Sequence, residues 1–317
     1  MNCSACEKDA VYHRKYEGRA LCKEHFSEDL LTKIRRTIRT EQLIKHGDKI
    51  CVALSGGKDS SLTLYVLSDL LKTWPNVELF ALAVDEGIEG YRDKSLESAK
   101  ELCARLGVRL HVVSYKDEFG KTMDQVLHGK KDFQNADSEG SARGNVRACT
   151  YCGVFRRNIL NKYARELGAT KVATGHNLDD ELQSVFMDFL KGDVNRLVRM
   201  GTTMNAHEND LILRVKPLRN VPEREIGLFC ILNGLPHHED ECPNAHDSLR
   251  FDVRDFLNRM EERYPGTKHN ASATFEKVLP ALRESFMKQM PSLRACEKCG
   301  ELCSGETCKA CELKATI

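Results

Sequence analysis

Ile50-Cys51-Val52-Ala53-Leu54-Ser55-Gly56-Gly57-Lys58-Asp59-Ser60-Ser61 decides the reading of this chain. An apolar run long enough for one buried strand ends in a paired-glycine turn, and a helix-compatible segment follows. Such a junction gathers unpaired backbone N–H groups and the positive end of a helix dipole at one point, where an anion fits. The residue order does not match a Walker A loop, which needs Gly, four residues, then Gly-Lys-Ser/Thr, nor a dinucleotide fingerprint.

Outward from that junction the pattern alternates. Strands are expected at 49–55, 78–85, 109–115 and 170–175, with helices near 59–72, 93–106, 153–167 and 178–190. This order predicts right-handed crossovers and a doubly wound parallel α/β sheet, with ligands at the carboxyl ends of the strands. The glycine turn, Asp85 and Gly175-His176 all fall at those ends. Ser27-Glu28-Asp29 reads as a helix start, and Leu30, Leu31, Ile34, Ile38 and Leu43 supply its apolar stripe to about His46. Residues 116–148 read as a polar, mobile loop containing Gly129-Lys130-Lys131-Asp132 and Ser138 to Gly144. Beyond about 245 the pattern is helical, with Phe251, Val253, Phe256, Leu257 and Met260, then Phe275, Val278, Leu282 and Phe286, closed by Pro291. The expected units are 1–26, a zinc-held piece; 27–245, the catalytic domain; 246–292, a helical extension; and 293–317, a second zinc unit.

The 317 residues carry 48 basic and 47 acidic side chains, a net charge of +1 that by itself selects neither nucleic acid nor a membrane surface. Distribution says more. Lys33, Arg35, Arg36, Arg39, Lys45 and Lys49 meet only Glu41 and Asp48, and Arg143, Arg147, Arg156 and Arg157 form a second basic stretch. Either a solvated face or a phosphate-binding face fits the first group. No apolar run approaches a membrane span, and the N-terminus lacks the order of a signal peptide, so the expectation is a cytoplasmic protein without a membrane partner.

Fourteen cysteines in such a chain point to metal ligands or thiol chemistry rather than disulfides. Cys3-x2-Cys6 with Cys22-x2-His25 forms two knuckles suited to a tetrahedral zinc ion, and Cys296-x2-Cys299 with Cys308-x2-Cys311 repeats the arrangement. Both are expected to be closed, structural sites; Cys303 lies inside the second insert as a spare thiol, and Cys51, Cys103 and Cys230 read as core. The central group differs. Cys149 and Cys152, placed in a loop before a helix, have Cys242 as their one attractive distant partner. Three thiolates suit an iron–sulfur cluster with one iron open to a ligand such as sulfide. An open zinc site, a Cys149–Cys152 redox pair and buried thiols fit the same spacing.

Ser55-Gly56-Gly57-Lys58-Asp59-Ser60 resembles the SGGxDS signature of the PP-loop ATPases, which split ATP into AMP and pyrophosphate. Taken with Val84-Asp85-Glu86-Gly87-Ile88-Glu89-Gly90-Tyr91-Arg92-Asp93, Cys149-x2-Cys152-Gly153, Thr174 to Asp180, Glu241-Cys242-Pro243 and the terminal Cys pairs, nearly the whole chain resembles the tRNA 2-thiouridine synthetases of the TtcA/TtuA superfamily. The likeness is greatest to the branch of the archaeal NcsA and eukaryotic cytoplasmic tRNA 2-thiolation proteins. It implies ATP-dependent replacement of uridine O2 by sulfur, a [4Fe-4S] cluster on Cys149, Cys152 and Cys242, a Rossmann-like PP-loop domain and a homodimer. The Val84 to Asp93 string looks like the branch acting on wobble uridine U34, whereas Glu241 to Ala245 also occurs in the branch acting on U54.

Within that reading, Ser55, Gly56, Gly57, Lys58, Asp59, Ser60 and Ser61 hold the pyrophosphate, with Lys58 offsetting its charge and Asp59 placing Mg2+. Backbone at Ala53, Leu54 and Val84 seats the nucleoside of ATP, beside Gly175. Asp180 is the candidate for proton handling or metal placement, with Asp179 the better candidate for a purely helix-terminal acid. Arg156 is a candidate for stabilising phosphate charge. Expected tRNA contacts are the two zinc units and the 33–49 basic segment. The sulfur donor is left among sulfide, a persulfide and a ubiquitin-like thiocarboxylate carrier. A cluster-free route, with a persulfide on Cys149 or Cys242 and the other thiol as resolver, suits the same cysteines. Other classes compatible with parts of the pattern are a PP-loop amidating or lysidine-type ligase, which needs no cysteine trio, and a zinc-stabilised RNA-binding scaffold or redox sensor.

Overall fold

The computed structural model describes residues 1–74, 76–128, 148–201, 212–244, 249–286 and 293–317. The stretches Gly129 to Asp132 and Ser138 to Gly144, with Arg143, Arg147 and Pro291, lie outside the described residues.

The chain opens with a hairpin, β1 (Tyr12–Arg14) and β2 (Arg19–Leu21), followed by α1 (Lys23–Thr40). Helix α1 starts four residues before the expected Ser27 and ends at Thr40, not near His46. Cys22 is its N-cap residue in extended conformation, so the second knuckle and the first helical turn are the same piece of chain, and His25 is placed by that turn. The boundary drawn at residue 26 therefore cuts through α1. Leu30, Ile34 and Ile38 are at most 1% exposed, the i, i+4, i+8 stripe that the sequence carries.

Next come β3 (Lys49–Ala53), α2 (Lys58–Leu71), β4 (Glu78–Asp85), α3 (Arg92–Leu106), β5 (Arg109–Ser114), α4 (Tyr115–Phe119) and α5 (Met123–His128). The last two correct the expected loop at 116–148: its first part is helical, Ser114 capping α4 by accepting from the Asp117 N–H at 3.0 Å. After α6 (Ala148–Glu166) come β6 (Lys171–Ala173), α7 (Leu178–Leu190), α8 (Val194–Val198), β7 (Leu213–Val215) and α9 (Glu223–Asn233). Helices α10 (Leu249–Arg263) and α11 (Thr267–Phe286) precede the hairpin β8 (Arg294–Ala295) and β9 (Leu302–Cys303) and the closing α12 (Lys309–Lys314).

The main sheet has the order β5-β4-β3-β6-β7, and every pairing is parallel. Strand β7 was not expected from the sequence. From β3 the chain winds outward through β4 and β5, then returns to the other side of β3 through β6 and β7. The order reverses between β3 and β6, which makes the crevice above their carboxyl ends the switch point where such folds bind ligands. Ile50, Cys51 and Val52 are fully buried between helices on both faces, as a central parallel strand requires.

The end units are docked onto this domain. Arg14 of the first hairpin is wholly buried and pairs with Glu225 of α9 through Nε–Oε1 (3.0 Å) and Nη2–Oε2 (2.8 Å), with Asp29 of α1 also bonded to it. The bidentate geometry is what lets two desolvated charges coexist there. Helices α10 and α11 cover α7, where Val253 and Leu257 pack on Leu178 and Leu182. Phe256 and Val278, expected on the apolar faces of these helices, point to solvent instead. Cys296, Cys308, Ala310 and Leu313 join the core that also holds Tyr151 and Phe155 of α6. Among the described residues no helix is long and apolar enough to cross a membrane.

Candidate active site

The glycine turn caps the crevice. Gly56 adopts φ +87°, and a Cβ there would lie 1.9 Å from the Ser95 carbonyl oxygen. A Cβ on Gly175 would lie 2.7 Å from Ser60 N at the start of α2. Only glycine lets the loop after β6 and the N-terminus of α3 come this close to the turn. Within the turn, the Ser60 hydroxyl accepts from Ser55 N (3.1 Å) and donates to the Gly57 carbonyl (3.0 Å), while Gly57 N donates to Ser55 Oγ (3.3 Å). The result is a fixed loop at the positive end of the 14-residue α2.

Lys58 leans across this opening. Its Nζ donates to Asp59 Oδ2 (3.1 Å) and Glu223 Oε1 (2.7 Å). Burial works against its charge, but the two carboxylates hold its pKa above the usual lysine value. The Asp59 carboxyl is pushed up by burial and by Asp180, against Lys58 and the Asn177 amide, which donates to Asp59 Oδ1 at 2.9 Å. Asp180 closes a capping box with Asn177 at the start of α7, taking the helix-terminal role for which Asp179 was the better candidate. Burial raises its pKa and Arg250, 3.3 Å away, opposes the rise. Asp179 instead is buried against Lys268 and accepts from Glu223 N at 2.8 Å, tying α7 to α9 and α11. Asp59, bonded to Lys58, and Asp180 thus form a pair of buried carboxyl groups whose negative charge is disfavoured by burial and by neighbouring carboxylates, a condition that a hard dication would relieve.

The cysteines sit on the neighbouring wall. Cys149 and Cys152 lie within the first turns of α6, not in a loop before it. At i, i+3 and i+7, Cys149, Cys152 and Arg156 share one helix face. Cys149 is exposed, Cys152 and Cys242 half-buried, and Cys149 Sγ donates to the Asn244 carbonyl at 3.4 Å, joining the Cys242 loop. Burial raises the Cys152 and Cys242 pKa values; Cys149 adds to both and Cys152 to that of Cys242, while Arg156 opposes the rise in each. Mutual repulsion among converging thiolates is the condition that a cationic centre relieves. The three sulfurs do not close to within 4.8 Å of one another, as both end groups do. Three cysteines without a fourth protein ligand among the described residues match the donor set of a cluster that leaves one iron open.

Arg156 is not a free surface cation. Its Nε donates to Glu86 Oε1 (2.7 Å) and its Nη2 to Cys152 Sγ (3.2 Å). Glu86 Oε2 in turn lies 2.9 Å from Arg92 Nε, and Arg92 Nη1 donates to the Ser55 carbonyl at 2.6 Å. On the other side His238 N donates to the Gly56 carbonyl at 2.8 Å, four residues before Cys242. Glu86, Arg92, Glu223 and His238 were not singled out from the sequence. Glu86 and Arg92 stand in the Val84 to Asp93 string, yet nothing local marks them as buried.

At the two ends the ligand groups close as spaced. Cys3 and Cys22 Sγ lie 3.5 and 3.3 Å from His25 Nδ1, with Cys6 and Cys22 Sγ 3.8 Å apart. Cys299 and Cys308 Sγ are 3.6 Å apart in the second group. Each group falls within 4.8 Å, the spacing that tetrahedral zinc imposes. Burial opposes ionisation of Cys3 and Cys296, but backbone N–H groups bring each down to about 6. Cys303 bonds to the Gly305 carbonyl and stays outside the group. Cys51, Cys103 and Cys230 are core thiols pushed up by burial to about 12, 11 and 12. In the basic segment Lys33 turns inward to His269 (3.2 Å), Arg35 pairs with Asp69 and Lys49 with Glu78, leaving Arg36, Arg39 and Lys45 exposed.

Residues 27–261 match the PP-loop domain family, and residues 2–27 match the N-terminal LIM domain of the 2-thiouridine synthetase TtuA. The chain is 38% identical to the tRNA 2-thiolation protein NcsA of Haloferax volcanii over 100% of its own length and 99% of that protein's. It belongs to the NcsA family of PP-loop tRNA 2-thiolation proteins. Another member, cytoplasmic tRNA 2-thiolation protein 1 of Chlamydomonas reinhardtii, is 36% identical across 98% of this chain and 83% of that one. Among solved structures, the U34-tRNA thiolase NcsA from Methanococcus maripaludis with its [4Fe-4S] cluster superposes with a TM-score of 0.80 at 32% identity, over 100% of this chain and 96% of that one.

Proposed function

We propose that this tRNA sulfurtransferase makes 2-thiouridine at wobble position U34, activating uridine O2 with ATP before sulfur replaces it. The observation that carries the reading is the contact path from the Ser55 carbonyl through Arg92, Glu86 and Arg156 to Cys152, with steps of 2.6, 2.9, 2.7 and 3.2 Å. It runs from the glycine turn to Cys152, which supports reading the two as one site.

Uridine O2 is a poor leaving group, and bonding it to the α-phosphate of ATP turns it into AMP. The backbone N–H groups of Ser55 to Ser61 and the N-terminus of α2 hold the departing pyrophosphate, with Lys58 offsetting its charge. Backbone at Ala53, Leu54 and Val84 seats the nucleoside, and the missing Cβ of Gly175 leaves the loop after β6 flush with the cradle. Asp59 and Asp180 would hold Mg2+, which supplies charge compensation on the phosphates. Cys149, Cys152 and Cys242 would hold a [4Fe-4S] cluster, which keeps one iron free for a sulfur ligand. Replacement at C2 then forms the C–S bond, breaks the C–O bond and releases AMP. With sulfur arriving at the level of sulfide, no net electron transfer occurs.

Cys3, Cys6, Cys22 and His25, and Cys296, Cys299, Cys308 and Cys311, would each hold one structural zinc. The end units, with Arg36, Arg39 and Lys45, provide the surface for folded tRNA, whose target base must be splayed out to reach the crevice. The sulfur donor is sulfide, a persulfide or a ubiquitin-like thiocarboxylate carrier, and the working form is a cytoplasmic homodimer.

The test is digestion of tRNA after incubation with ATP and sulfide, with AMP, pyrophosphate and 2-thiouridine counted together. Equal yields of the three, lost on a tRNA whose U34 is replaced by C, support the reading. Product retained on that tRNA moves the target to U54. Thiolation without AMP release overturns the activation step.

A further inference from the structure

Glu86 follows directly on β4, and its side chain is 3% exposed. Its Oε1 accepts a hydrogen bond from Arg156 Nε at 2.7 Å, and its Oε2 lies 2.9 Å from Arg92 Nε as an ion pair whose N–H is not aligned for a hydrogen bond. Arg92, 5% exposed, spends Nη1 on the Ser55 carbonyl and on Ser95 Oγ at 2.9 Å. Arg156 reaches Cys152 Sγ with Nη2. The main chain around Glu86 is fixed as well. Met123 N donates to the Glu86 carbonyl at 2.7 Å, and Gly87, at φ +66°, packs so that a Cβ would lie 2.6 Å from Thr122 Cβ.

We infer that Glu86 is a positioning residue that couples nucleotide occupancy of the Ser55–Ser61 turn to the placement of Cys152. The inference rests on the reading of that turn as the ATP site. A phosphate held by the turn must fix the Ser55 and Gly56 peptides. Arg92 is bonded to the first of them, and Gly56 is in van der Waals contact with Ser95 on the same helix. Glu86 and Arg92 are buried while the Arg156 side chain is 46% exposed, so a shift of Arg92 moves the buried carboxylate and with it the Arg156 fork that it anchors on the open side. Arg156 and Cys152, one turn apart on α6, then move as a pair. Through His238 and Gly56 the Cys242 loop is tied to the same turn from the opposite side.

The coupling is read in full-length, cluster-loaded protein from the rate at which a chelator bleaches the visible absorbance, with and without a non-hydrolysable ATP analogue. Analogue affinity is measured separately by calorimetry. In the unmodified protein the analogue changes the bleaching rate by about fivefold or more, within the usual range of coupling between linked sites. In Glu86→Gln the analogue still binds within about threefold of normal, but the rate ratio falls toward one; a purely structural role would alter both rates and keep their ratio. Should Glu86→Gln fail to load a cluster, Arg156→Lys replaces it, since an ammonium cannot serve Glu86 and Cys152 as the guanidinium fork does. A ratio preserved in the variant overturns the coupling. A ratio of one in the unmodified protein that binds the analogue also overturns it and leaves the ATP reading standing, whereas failure of that protein to bind the analogue overturns both.

Discussion

Glu223 of α9 accepts a hydrogen bond from Lys58 Nζ at 2.7 Å, so the cation of the glycine turn is held by a residue 165 positions away in the chain. A phosphate entering the turn competes with Glu223 and Asp59 for that ammonium. Glu223→Gln is therefore expected to tighten ATP binding by about threefold, the size of a solvent-screened ion pair. Lys58→Ala acts in the other direction and abolishes turnover. Isothermal calorimetry on the two variants checks the sign; weaker binding in Glu223→Gln would mean that Glu223 orients Lys58 instead of competing for it.

Gly175 and Gly56 are predicted to be intolerant of any side chain. An alanine Cβ at 175 meets the backbone of Ser60 at 2.7 Å, and at 56 it meets the Ser95 carbonyl at 1.9 Å with a positive φ in addition. Gly175→Ala is expected to cost about 1–3 kcal/mol by overpacking, and Gly56→Ala about 1–2 kcal/mol more for the left-handed backbone. Chemical denaturation should rank them in that order. Gly168, where a Cβ meets nothing within 4 Å, is the control for the effect of positive φ alone.

How much of this was legible beforehand differs by element. Strands β3 and β4, long and flanked by turn residues, match expectation closely, as do both end ligand groups, because periodicity and ligand spacing are local properties. Strand β7 is only three residues, Leu213–Val215, too short to carry a period. Helix α1 starts early because Cys22 and His25 serve the ligand group and the first helical turn together. At the site, the turn could be read from its own residues, whereas the cysteine trio left several chemistries open until the family resemblance was added. Glu86, Arg92 and Glu223 could not, since a charged residue in a soluble sequence reads as surface unless its partner is known, and their partners come from other elements.

Acid should loosen the joint between the first hairpin and α11. His269 packs on Tyr16 in a tilted pair with ring centroids 4.3 Å apart and faces Lys33, and burial, then Lys33, lowers its pKa to about 4. The ring is neutral when folded and protonates near pH 6.5 when unfolded, so the unfolded state binds more protons between these values. Stability is therefore unaffected above about pH 6.5 and falls as pH drops from there toward 4. The loss is about 2 kcal/mol once partial exposure is discounted. Comparing pH-dependent denaturation of the unmodified protein with His269→Asn checks this: the variant should show a flatter curve across that window.

Removing a C-terminal ligand is expected to disturb α6. Cys308→Ala should lower bound zinc from about two per chain to about one. It should also expose the α6 surface now covered by Ala310 and Leu313, seen as faster proteolysis after residue 293. Unchanged zinc content would show that this group does not bind the ion.

In the proposed mechanism, ATP activation at the glycine turn is combined with sulfur delivery from the three-cysteine site. The most direct measurement is anaerobic reconstitution with iron and sulfide, followed by tRNA thiolation with ATP, comparing the unmodified protein with Cys242→Ala. About four irons per chain and thiolated tRNA are expected in the former, with both lost in the latter. Full activity in iron-free protein would contradict this mechanism and show that sulfide replaces the activated O2 without a cluster.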